Sequence, residues 1–166
     1  MTVAVVSRPI AASLALLAVL SFCQQARAQN DHLIVPWERI GPIALGMSAA
    51  DLNRILGEPT QTMRGPFVSV YNWKNNLSVF IKTDGSYVTQ ICALNPSYAT
   101  AQGVHPGSTD LAVTALLGPP QNARLHSRWS MLSYTDLFWP GLMVSVPLTG
   151  FDTNHAVRTV CVNHNA

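Results

Sequence analysis

From residue 46 onward, apolar positions fall first at helical spacing, then in alternation, and the same succession follows a second time. Leu52, Ile55 and Leu56 sit at i, i+3 and i+4 behind Gly46-Met47-Ser48, and Gly57-Glu58-Pro59 closes the run. Val113, Leu116 and Leu117 repeat that spacing behind Gly107-Ser108-Thr109, closed by Gly118-Pro119-Pro120. Ser and Thr cap the free N–H groups of a helix start, and Gly followed by Pro stops one. Each stretch therefore predicts a short helix with its own start and stop. Beyond the helices Tyr71 answers Tyr134, Leu77–Ile81 answers Leu142–Val146, and Ile91-Cys92 answers Val160-Cys161. The offset grows only where loops fall, because an insertion within a strand would turn every later side chain to the other face. The expected fold class is α+β: two tandem repeats, each a helix plus a three-stranded antiparallel sheet, with the helices on one face of the sheet.

The strands expected in the first copy run from Phe67 to Trp73, Leu77 to Thr83 and Ser86 to Ala93, with turns at Lys74-Asn75-Asn76 and Asp84-Gly85. Those of the second run from Arg128 to Thr135, Leu142 to Pro147 and His155 to Val162, with a longer turn from Asp136 to Gly141 that carries Phe138-Trp139-Pro140. Residues 29–45, broken by Gly and Pro, read as an extended lead-in packed on the first unit, and Asn95 to Gly103 as a linker. In the central strand Leu77, Val79 and Ile81 share a face while Phe80 lies on the other, so both faces carry apolar material. Helices cover one face of such a sheet; the other packs elsewhere or meets a partner.

The N-terminus changes the accounting of charge. Arg8, the apolar run from Leu14 to Phe22 and Ala26-Arg27-Ala28 have the layout of a secretory signal, which places cleavage between Ala28 and Gln29. The expected organisation is a signal peptide over 1–28, lead-in and first repeat over 29–98, and second repeat over 99–166, the repeats packed as one unit. Leu20-Ser21-Phe22-Cys23 has bulky Phe22 where a lipidation site wants a small residue, so no lipid anchor is expected. Ten Lys and Arg stand against eight Asp and Glu, and Arg8 and Arg27 leave with the signal. No basic run is left to track a phosphate backbone, which argues against nucleic acid, and no later stretch is long and apolar enough for a membrane span. Cys92 and Cys161 hold the same place in the two copies. In the oxidising periplasmic or secreted setting that a signal implies they are candidates to pair; two separately buried thiols are the alternative.

Enzyme signals are weak. The chain has no Gly-x-Ser-x-Gly elbow, no phosphate-binding glycine loop and no His-Glu-x-x-His helix. His155, Cys161 and His164 have some ligand-like spacing, but Cys161 has the better partner in Cys92, so neither metal nor cofactor is expected. The candidate partner contacts are aromatic: Tyr71, Phe80, Trp129, Tyr134, Phe138 and Trp139. Large rigid side chains dominate binding energy when a partner covers them. Trp139 has two readings, exposed at the sheet rim or folded back over the core edge.

Gly46-Met47-Ser48, Leu56-Gly57-Glu58-Pro59, Tyr71-Asn72-Trp73 and Phe80-Ile81-Lys82-Thr83-Asp84-Gly85 resemble the small outer-membrane assembly lipoproteins of the SmpA/OmlA (BamE) type. Two such units in tandem are similar to the β-lactamase inhibitor protein family, in which joined sheets form a surface that receives the partner. The resemblance implies an exported, non-enzymatic module that binds another extracytoplasmic protein through its open sheet face and hairpin rim. A periplasmic binder of small ligands or envelope components is the alternative, and a hydrolase-type enzyme a third.

Overall fold

The computed structural model describes residues 32–127, 133–147 and 156–164, which belong to one compact unit. The Ala28/Gln29 cleavage site, Trp129 and His155 lie outside the described residues.

Two helices form where the apolar spacing predicts them. α1 spans Ala49–Leu56 and α2 spans Asp110–Leu117. The Ser48 hydroxyl accepts from the Asp51 N–H at 3.2 Å and the Thr109 hydroxyl from the Ala112 N–H at 3.1 Å. Gly57 and Gly118 end the helices at φ 73° and 79°, a region glycine enters without steric cost. Each helix buries one stripe, centred on Leu52 in α1 and Val113 in α2.

Strands dominate the rest. In chain order they are β1 (Leu33–Val35), β2 (Arg39–Ile40), β3 (Ile43–Ala44), β4 (Gln61–Arg64), β5 (Val68–Asn72), β6 (Leu77–Lys82), β7 (Val88–Ala93), β8 (Ala99–Thr100), β9 (Asn122–Ser127), β10 (Ser133–Trp139), β11 (Leu142–Pro147) and β12 (Thr159–Asn163). One sheet has eight strands in the order β4-β5-β6-β7-β12-β11-β10-β9, every neighbouring pair antiparallel. A small sheet runs β3-β2-β1-β8, closed by the parallel pairing of β1 with β8.

This corrects the expected class. The described residues are mostly β, in sheets of four and eight strands, and not two helix-plus-three-strand units. Each helix is followed by four strands of the large sheet, because β4 and β9 form where a loop was expected. The lead-in and the linker are not plain connections either; they supply the small sheet. The turn expected from Asp136 to Gly141 is shorter as well: β10 continues through Trp139, and only Pro140 and Gly141 turn the chain.

Pairing register separates the two faces of the large sheet. Leu77, Val79 and Ile81 of β6 share a face with Val88, Ile91 and Ala93 of β7, Val160 and Val162 of β12, and Leu142, Val144 and Val146 of β11. All are buried in one cluster with Leu52, Val113 and the small-sheet residues Ile34, Ile40 and Ile43. Both helices and the small sheet therefore cover the same face. The Trp73 indole N–H donates to the Gly57 carbonyl and the Trp139 indole N–H to the Gly118 carbonyl, each at 3.1 Å, so both helix ends are tied to the sheet in the same way. These bonds satisfy carbonyls that a helix end leaves without an internal partner.

Candidate functional site

The opposite face of the large sheet is the candidate site: no described element packs on it, and while Cys92, Cys161, Asp136 and Ser145 at its centre are buried, the residues around them keep exposed surface. Its residues follow from the alternation. On the six inner strands they are Val68, Val70 and Asn72 of β5; Ser78, Phe80 and Lys82 of β6; Gln90 and Cys92 of β7; Thr159, Cys161 and Asn163 of β12; Met143, Ser145 and Pro147 of β11; and Tyr134, Asp136 and Phe138 of β10.

At the centre Cys92 and Cys161 stand directly opposite each other on β7 and β12, joined as a disulfide. It links the strands through which the two halves of the large sheet meet. The Gln90 amide donates to the Cys92 sulfur at 3.1 Å. Such a bond forms and persists in oxidising compartments.

Apolar side chains flank the disulfide on either side. Phe80 pairs with Gln90 on the β7 side; Met143 pairs with Cys161 on the β12 side, and Phe138 pairs with Met143 one strand further out. Phe80, Met143, Phe138 and Tyr134 are all half-buried, so each keeps surface to offer. Polar groups between them are mostly mutually satisfied. The Ser78 hydroxyl donates to the Asn72 side-chain oxygen at 2.5 Å, and the Ser145 hydroxyl to buried Asp136. Arg124 of the edge strand β9 places its guanidinium 5.4 Å from the centre of the Phe138 ring, within cation–π range. Across the four central strands, Lys82 is the one charged side chain on this face among the described residues. The groups held away from their ordinary protonation range lie off the face: Asp51 on α1 and Asp84 in the β6–β7 turn are pulled down by hydroxyl and backbone hydrogen bonds, and burial pushes Tyr98 up.

The sequence candidates divide between the faces. Phe80, Tyr134 and Phe138 lie on the side that no described element covers. Tyr71 pairs with Val79 and packs against the core, its ring edge-on to Trp73 at 6.2 Å. Trp139 is 4% exposed and bound to Gly118, so the exposed-rim reading fails for it: one residue beyond Phe138 in a continuing strand, it points to the helix side. Gln90, Arg124, Met143 and the Asp136–Ser145 pair were not singled out from sequence. Counting alternate positions from Cys92 would have found Gln90, whereas Met143 needs the register of β11 against β12. Among the described residues no three His, Cys, Asp or Glu side chains gather as metal ligands would.

No family model matches the chain, and no curated protein matches it. Among solved structures it is similar to a DUF4309 family protein from Bacillus subtilis, at 15% identity and a TM-score of 0.43 over 70% of this chain and 77% of that one. It is also similar to an extracellular protein containing an SCP domain from Bacillus anthracis, at 12% identity and a TM-score of 0.46 over 73% of this chain and 44% of that one. A cysteine-rich secretory protein from Staphylococcus aureus gives 13% identity and a TM-score of 0.46 over 82% of this chain and 47% of that one. At these scores the likenesses carry no argument about function.

Proposed function

We propose that this chain is an exported, non-enzymatic binding module that receives another extracytoplasmic protein on the uncovered face of its eight-stranded sheet. The observation that carries the reading is that the described elements pack on one face of that sheet and none of them on the other. Helices and small sheet fill one face, while the other presents half-buried Phe80, Tyr134, Phe138 and Met143 around a disulfide. Aromatic and Met side chains with few charges at the centre are the composition of protein–protein interface cores. Size supports it too. Seven interstrand spacings of about 4.8 Å make a face roughly 34 Å wide, and strands of five or six residues make it roughly 17–20 Å long. That is on the order of the ~800 Å² per partner of a standard interface.

Export is supported by the disulfide together with the signal-like N-terminus. The motif resemblance to the SmpA/OmlA type agrees with a binding role.

The test is affinity capture from the extracytoplasmic fraction of the producing cell, comparing the native chain with a Phe80→Asp/Phe138→Asp variant. The native chain is expected to retain one dominant protein. The variant loses it by at least ~30-fold in affinity, as for interface anchors worth 2 kcal/mol or more, with its thermal midpoint nearly unchanged. Retention by both proteins alike contradicts the reading.

A further inference from the structure

The two halves of the large sheet allow one surface to be judged against the other. Trp73 and Trp139 bind equivalent glycine carbonyls, which aligns α1 with α2 residue by residue, and the strand registers set Arg64 of β4 against Leu125 of β9. On α1 the outward positions carry Asp51 and Arg54, an ion pair at 2.6 Å, as expected of a helix facing water. The same places on α2 hold Ala112 and Ala115, and Leu125 stands where Arg64 does. Leu111 is 79% exposed, Leu116 48% and Leu125 67%. α2 is thus apolar around most of its circumference, a pattern that suits a buried helix rather than a surface one.

The exposed residues of α2 form one stripe. At 3.6 residues per turn Leu111, Ala112, Ala115 and Leu116 span roughly 140°, on the side away from buried Val113. Their order is also its own mirror image: Leu-Ala, two residues, Ala-Leu. A two-fold interface demands this, because residue i must meet residue j while j meets i. Antiparallel pairing of two copies of α2 sets Leu111 against Leu116 of the second copy and Ala112 against Ala115. The alanines then let the axes approach closely, and the leucines fill the flanks. Charge favours the same arrangement. Antiparallel helices oppose their dipoles, and the two Asp110 residues sit at opposite ends, about 10 Å apart along the axis, where parallel pairing would bring them together. With Leu125, on the same side of the sheet, the exposed apolar surface is on the order of 400 Å², the size of the largest, often functional, patch on a monomer. Doubled across the axis it is about 800 Å², the size of a weak, concentration-dependent association rather than of a permanent dimer.

We infer that α2, with the flanking β9 edge, is a homodimer interface whose occupant is a second copy of this chain. It lies on the side of the sheet away from the docking face and stands independently of it. Dimerisation would leave both docking faces open.

Sedimentation velocity tests this on the exported, disulfide-bonded chain from about 1 to about 200 μM, the range in which small interfaces associate. A monomer–dimer equilibrium is expected. Leu111→Lys should raise the dimer dissociation constant at least ~30-fold, because it places an unpaired charge in the interface. Its circular dichroism and thermal midpoint should stay unchanged, since the position is exposed. Leu111→Glu/Leu116→Lys should restore association, since opposite charges then meet across the axis. A chain monomeric throughout overturns the inference and leaves α2 to a different partner. A dimer indifferent to Leu111→Lys also overturns it, and failure of the charge pair to restore association overturns the antiparallel register.

Discussion

Trp139 and Trp73 each spend a large ring on the core and an indole N–H on a helix-end carbonyl. Trp139→Phe keeps most of the packing and is expected to cost about 1 kcal/mol for the lost hydrogen bond, whereas Trp139→Ala costs about 3–5 kcal/mol. Urea unfolding of the two variants separates these terms. Gly141 is constrained differently. It turns the β10–β11 hairpin at φ 72°, and the Trp37 ring lies against it so closely that a Cβ would overlap the indole. Gly141→Ala should therefore destabilise by about 1–3 kcal/mol, readable in the same unfolding curves. Tyr98 gives a pH dependence. Burial holds its hydroxyl above the ordinary value of 10.0, so the folded state keeps the proton longer than the unfolded chain does. Its contribution is full below about pH 10 and is lost as pH rises through the higher folded value. Alkaline denaturation followed by tyrosinate absorbance should show that loss, and Tyr98→Phe should remove it. The side of Trp139 was not legible in the sequence, because Pro140-Gly141 made the preceding aromatics look like turn residues. Once β10 is known to continue, parity alone sends Phe138 outward and Trp139 inward.

The capped helices were readable because caps, stops and apolar spacing agree. The inner strands β5, β6, β7 and β11 were readable because a buried face imposes alternation. β4 and β9 were not. Gln61-Thr62-Met63-Arg64 and the described β9 side chains at 122–125 are all exposed, so these edge strands carry no buried face and no alternating signal. The small sheet was hidden for another reason. Its parallel pair joins Leu33 and Ile34 to Ala99 and Thr100, a contact far apart in the chain and too short to leave a pattern. The central element pair, β7 with β12, carries the disulfide. It closes a separation of 69 residues, which the loop-entropy model values at about 4 kcal/mol. Thermal unfolding with and without reductant checks this: the reduced chain should lose stability of that order, and an unchanged midpoint would deny the bond a stabilising role.

At the scale of the whole molecule, the sequence made legible that apolar residues exceed what one covered face can hide. It did not show which aromatics the excess comprised, because that depends on strand extents that turn chemistry obscured. The structure sorts them: Phe80, Tyr134 and Phe138 on the face that no described element covers, Tyr71 and Trp139 on the helix side. The account stands on that uncovered face receiving a protein. Site-specific photo-crosslinking in the producing cell tests it most directly, with a benzophenone side chain replacing Phe80, Phe138 or, as the control on the helix side, Leu111. Positions 80 and 138 are expected to give an adduct with one and the same protein, and position 111 no adduct of that mass. Adducts from neither face position, or the same adduct from all three, would contradict the claim.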